Sequence, residues 1–176
     1  MVMPVDNLPM SDVVDLVNEY ADVSRAAAGE SSEPYPHLEY LEALGATASE
    51  SVSLANAFHR VFAEPRRASD LLNQLADQHQ LSHRLASDGR LAWMRPATSH
   101  RAAAAATATL IDFLNQHSSD RLGTCDADAC ADVYVDTSQS QTRSYCSDKC
   151  HTRTRVARWR ARQRQTTATS STEEDR

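Results

Sequence analysis

Residues 121–164 read RLGTCDADACADVYVDTSQSQTRSYCSDKCHTRTRVARWRARQR. All four cysteines of the 176-residue chain lie here, at Cys125, Cys130, Cys146 and Cys150, in the spacing C-x4-C-x15-C-x3-C. The first 124 residues hold none. A disulfide scaffold would scatter its cysteines to staple the whole chain, whereas two close pairs around a hairpin-length spacer suit a tetrahedral zinc ion. A catalytic zinc keeps three protein ligands and a water, so a shell closed by four thiolates implies structural Zn(2+). His151, next to the last cysteine, reads as a surface neighbour rather than a ligand.

Around those ligands the pattern predicts a hairpin and a helix. Val133, Tyr134 and Val135 read as a short strand, Asp136 to Thr142 as a polar turn, and Arg143 to Cys146 as the returning strand. Ser147 caps a helix that carries Cys150 in its first turn. That order is a small treble-clef-like module. From Lys149 the helix is basic, with arginines at 153, 155, 158, 160, 162 and 164. At about 100° per residue, Arg153, Arg160 and Arg164 form one row and Arg155, Arg158 and Arg162 another, nearly opposite. Val156 and Trp159 lie between the rows on one side and are expected to pack inward. Thr154, Ala157 and Ala161 lie on the other, leaving a small face to approach a nucleic-acid groove while Lys149 and the six arginines reach phosphates.

Charge follows the same division. The chain carries −6, yet residues 1–140 hold nine arginines and twenty acidic residues, while residues 141–164 hold seven arginines and one lysine against Asp148 alone. A whole-chain average therefore hides a strongly basic segment. The acidic front is expected to compete with nucleic acid for the arginines.

The front region has helical periodicity. Ser11 is positioned to cap a helix with Val13, Leu16, Val17, Tyr20 and Val23 on one face. Gly29 to Pro36 is a loop, and a short helix from Pro36 stops at Gly45. Thr47 and Glu50 form a capping box ahead of Leu54, Phe58, Val61 and Phe62, a run ended by Pro65. Ser69 caps the next helix, bearing Leu72 and Leu75. Leu81, His83 and Leu85 then alternate, Asp88-Gly89 signals a type I′ turn, and Leu91 and Trp93 complete a hairpin. Pro96 closes it, and Thr98 or Ser99 caps an alanine-rich helix through Leu114. The expected architecture is mainly α: a helical domain with a β-hairpin over 1–118, a four-cysteine finger with its basic helix over 119–165, and a disordered Ser/Thr-rich acidic tail over 166–176.

The stretch from Arg121-Leu-Gly-Thr-Cys125 through Arg164, with R-x-Y-C-S-x-x-C ahead of the arginine run, resembles the CGNR zinc finger family. The segment Val14 to Asn18 and the Asp88-Gly89-Arg90 hairpin with Trp93 resemble the ABATE domain that precedes that finger, described as a stress-induced transcription regulator. The family signature reads Cys150-His151-Thr152-Arg153 here. The zinc ligand and the arginine carry over, whereas Thr152 can replace an asparagine as a cap but not in a bidentate adenine contact.

No H-E-x-x-H, glycine-rich phosphate loop or G-x-S-x-G elbow occurs, so no enzyme is expected. Nor does any stretch approach the roughly 20 apolar residues of a membrane span. The Met1–Met10 segment lacks a secretory pattern, which implies a cytoplasmic protein. The expected function is zinc-dependent binding of double-stranded DNA in transcription regulation, with the front domain sensing a small-molecule effector or forming a homodimer. An RNA-binding module and a thiol-redox switch that releases zinc are the alternatives.

Overall fold

The computed structural model describes residues 1–173, with side chains described through Arg164. The front region folds into α1 (Met10–Tyr20), α2 (Asp22–Ala28), α3 (Glu39–Ala43), α4 (Ala48–Ala63), α5 (Ala68–Gln78) and α6 (Arg101–Gln116). Apolar residues at helical spacing meet in one core. Val13, Leu16 and Val17 of α1, and Phe58, Val61 and Phe62 of α4, are fully buried. In α6, Ala102 to Ala106 are all buried, because alanine lets neighbouring helices close in from every side.

Local signals set most boundaries. The capping box forms as read: the Glu50 N–H donates to Thr47 Oγ1 at 3.3 Å, and Glu50 Oε2 accepts the Thr47 N–H at 2.8 Å. Gly45, at φ 70°, ends α3, and the Ala46 N–H reaches back to the Leu41 carbonyl.

Other caps differ from expectation. Pro9 rather than Ser11 precedes α1: its carbonyl takes the N–H groups of Asp12 and Val13, and the Ser11 hydroxyl turns to Asp12. Ser69 lies inside α5, which Arg67 precedes. His100, without a side-chain cap bond, precedes α6, since the Ser99 hydroxyl is spent on the Pro96 carbonyl. The first helix is also broken. Ala21 is extended, which frees the Asp22 N–H for Asn56 Oδ1 at 2.9 Å and turns Val23 out to solvent. The loop after Gly29 is tied down by Arg25, itself buried, whose guanidinium donates to the carbonyls of Glu19, Glu30 and Glu33.

The hairpin gains a third strand. β1 (Val2–Pro4) pairs antiparallel with β3 (Leu91–Pro96), which pairs with β2 (Ser82–Leu85), giving the order β1-β3-β2. Only Gly89 has positive φ in the turn, and its N–H bonds to the Ala86 carbonyl. A type I′ turn needs two such residues, so this is a longer loop with a left-handed glycine instead. Trp93 Nε1 donates to Asp112 at 2.9 Å and anchors the sheet on α6.

The C-terminal module consists of β4 (Leu122–Thr124), β5 (Val133–Val135) and the helix α7 (Asp148–Glu173). β4 and β5 pair antiparallel, Leu122 opposite Val135. Leu122 and Val133 belong to the same buried core as α1 and α4. Helical backbone continues to Glu173, past the Thr166 where disorder was expected, since neither glycine nor proline interrupts it; 174–176 lie outside the described residues.

Candidate metal centre and basic helix

The strand that pairs with β5 is β4, ahead of the first cysteine, and not the expected return over Arg143 to Cys146. The knuckle from Cys125 to Cys130 is therefore the loop of this hairpin. Its pitch is set by two backbone bonds, Cys125 N–H to the Asp132 carbonyl and Asp126 N–H to the Ser144 carbonyl, both 2.8 Å. Ala129 takes φ 54° inside it.

Residues 136–146 form an irregular arm instead of a strand because their donors are captured by side chains and carbonyls. Asp136, buried, accepts the N–H groups of Ser138 at 2.8 Å and Arg143 at 2.9 Å. The Ser138 hydroxyl, the Arg143 N–H and the nearby Arg121 hold its carboxyl below the usual range. Arg143 donates to the carbonyls of Tyr145, Val135 and Cys146, so this cation braces the module. Tyr134 donates to the Arg143 carbonyl at 2.6 Å, and its ring lies over Gly123, where a Cβ would sit 2.7 Å from it.

This frame brings the four thiols together. The ligand atoms of Cys125, Cys130, Cys146 and Cys150 all lie within 4.8 Å of one another. Cys130 to Cys146 is 3.8 Å, Cys146 to Cys150 is 3.6 Å, and Cys150 to Cys130 is 3.8 Å. Sulfurs about 2.3 Å from a tetrahedral zinc stand about 3.8 Å apart, so the donor set fits that ion by both chemistry and spacing. The separations are far beyond a disulfide bond, and all four cysteines are free. Burial pushes the Cys130 thiol up to about 12 and raises Cys146 too. Burial acts the same way on Cys150, but hydrogen bonds from the Ser147 hydroxyl and neighbouring thiols outweigh it and lower that thiol. Ser147 also caps α7 as expected, accepting the Cys150 N–H at 3.4 Å.

The finger is clamped to the body by three side chains, of which only Asn18 lies in a segment the sequence singled out. Asn18 makes two hydrogen bonds with the backbone of Val133, and the Ala131 carbonyl accepts from Ser24 Oγ at 3.3 Å and His59 Nε2 at 2.9 Å.

The face of α7 is the reverse of the one expected. Thr154, one turn after Cys150, is buried, whereas Val156 is 37% and Trp159 55% exposed. Cys150, turned into the thiol cluster, sets the rotation of the helix, and the apolar pair points outward between the two arginine rows. Lys149 and the arginines from 153 to 164 are exposed. Arg153 bends back, donating to the Asp128 carbonyl at 3.2 Å and to Cys150 Sγ at 3.6 Å. Arg155, Arg158 and Arg160 make no ion pair among the described residues, so the expected competition by the acidic front has no contact behind it there. One row forms a groove of about 210 Å³ lined by Tyr145, His151, Arg155, Arg158 and Arg162. Tyr145 and His151, ring centroids 5.2 Å apart, belong to the quoted cysteine motifs, but their spacing does not reveal that they meet in this groove.

Residues 121–163 match the family model of the CGNR zinc finger. No curated protein matches the chain. Among the described residues no helix is long and apolar enough to cross a membrane.

Proposed function

We propose that this chain is a zinc-dependent DNA-binding transcription regulator with no enzymatic role, acting in the cytoplasm. The carrying observation is the mounting of α7: Cys150 ties its first turn into the four-thiol cluster, and two arginine rows flank its exposed Val156–Trp159 face. In this reading the finger is treble-clef-like, zinc holds the helix base rigid, and Arg155, Arg158, Arg160, Arg162 and Arg164 with Lys149 contact double-stranded DNA. Guanidinium groups suit phosphate and guanine through paired donors. Arg153 serves chiefly to neutralise the thiolate charge. The front domain, which resembles ABATE regulators, is the sensing or dimerising part.

Selection from random duplex DNA by the zinc-loaded protein tests this, beside a chelated sample and an RNA pool. A motif enriched only with zinc is the expected result; no zinc-dependent retention of duplex DNA overturns it. The exposure of Trp159 between arginines favours a second reading, a single-stranded RNA surface on which a base stacks. Preferential enrichment from the RNA pool, lost in Trp159→Ala, would select that reading.

A further inference from the structure

A cavity of about 550 Å³ opens between α3, α4, α5, the end of β3 and the start of α6. That is within the range of small-molecule sites. Its polar end is built around Arg95, which is only 7% exposed. One Arg95 terminal nitrogen donates to the Pro96 and Ser99 carbonyls at 3.2 and 3.4 Å, and the other stands 3.9 Å from Asp6. Its Nε–H has no partner among the described residues. A buried guanidinium with an unused donor is costly, and an anion would relieve it once Arg95 turns Nε, closed to solvent here, toward the cavity.

Beside it, Arg101 holds Asp6 through two bonds of 2.6 and 3.1 Å, so one carboxylate answers two guanidinium groups. Glu50 is also on the wall, but it is engaged by the Thr47 cap and by His100 at 3.0 Å. The start of α6 adds donors. It has no side-chain cap, and its first backbone bond is from Ala104, which leaves the N–H groups of Arg101, Ala102 and Ala103 open. Apolar lining comes from Leu44, Leu54, Ala57 and Leu75, interleaved with Ser53, Gln78 and His79.

We infer that this cavity binds a small organic acid, its carboxylate at Arg95 and the α6 N-terminus and its apolar body against Leu54 and Leu75. The open N–H donors of Arg95 and the α6 N-terminus match a carboxylate, and the apolar lining suits an organic body better than a bare inorganic ion. The inference is independent of the nucleic-acid reading, since none of these residues lies on the finger.

The test uses the full zinc-loaded chain and calorimetric titration with benzoate, phenylacetate, 4-methylpentanoate and octanoate, each beside its primary amide. The expected result is an acid that binds below about 1 mM and at least about tenfold tighter than its amide. Arg95→Gln should weaken it at least about tenfold, and Ala57→Phe, which fills the cavity without touching a charge, should abolish it. Circular dichroism and zinc content check that each variant folds; if Arg95→Gln does not, Ala57→Phe and the amide series decide. No acid binding below about 5 mM, equal binding of acid and amide, or unchanged binding in the folded variants would each overturn the assignment.

Discussion

Asn18 pairs with Val133 as a neighbouring strand would: its Oδ1 accepts the Val133 N–H at 2.7 Å and its Nδ2 donates to the Val133 carbonyl at 3.2 Å. One side chain on α1 thus satisfies both backbone groups of a fully buried residue in the finger. Asn18→Ala strands both groups, at a cost of about 1–3 kcal/mol. Thermal unfolding should show a lower midpoint with the four-thiol site still able to take zinc. An unchanged midpoint would mean the finger is not held to the body through this pair.

Gly123 and Tyr134 make a second close pair. A Cβ at 123 would stand 2.7 Å from the phenol carbon and oxygen of Tyr134, so Gly123→Ala must push that ring off the Arg143 carbonyl. Overpacking of this kind costs about 1–3 kcal/mol. Zinc affinity should fall with it, because Arg143 braces the residues that lead into Cys146. Competition with a chromophoric chelator measures the loss; Gly123→Ala with wild-type affinity would argue that Tyr134 moves freely.

Ala129 offers a change in the opposite direction. It is exposed and held at φ 54°, where a Cβ costs about 1 kcal/mol and glycine does not pay that strain. Ala129→Gly should therefore stabilise the knuckle by about 1 kcal/mol or less, seen as a higher melting midpoint at saturating zinc. A lower midpoint would show that chain entropy outweighs the strain.

The site should bind metal in a pH-dependent way. Burial raises Cys130 to about 12 and raises Cys146, so both are protonated at neutral pH without metal and must lose their protons to ligate. Zinc affinity then rises with pH, with at least about two protons released per ion near pH 7, and falls as the solution is acidified. Isothermal titration in buffers of different ionisation enthalpy counts the protons. Release of fewer than about one would contradict the burial of these thiols.

If duplex DNA is the ligand, salt reads the number of phosphates met. The affinity of the double variant Arg155→Ala/Arg158→Ala should fall across all sequences, and the slope of log K against log salt should flatten by about two. A loss confined to one base position would instead place these arginines on base edges.

Some of these elements have local causes in the sequence and others distant ones. The metal site was legible because ligand type and spacing along one short segment carry the information. The Thr47–Glu50 box and the Gly45 stop were legible for the same reason. The orientation of α7 was not. Amphipathic reasoning places Val156 and Trp159 inward, but Cys150 and Thr154 are the buried residues of this helix, so the place of Cys150 in the thiol cluster rather than apolar burial sets its rotation. β1 pairs with a strand some ninety residues away, and nothing within Val2 to Pro4 specifies that partner. Leu122 and Val133, beyond the boundary expected near residue 119, pack in the core of the front region, a contact that composition and charge do not foretell. A finger cut free of residues 1–118 would expose both.

The grip on α7 at its first turn makes the helix a lever. Arg164 lies sixteen residues beyond Asp148, about 24 Å along the axis at 1.5 Å per residue. Each degree of tilt at the thiols then swings that guanidinium by about 0.4 Å, so about ten degrees carries it past the 3.4 Å step between stacked base pairs. Angular precision at the cysteine cluster is thereby converted into positional register at the far end of the basic helix, and a slackened ligand would be felt there first.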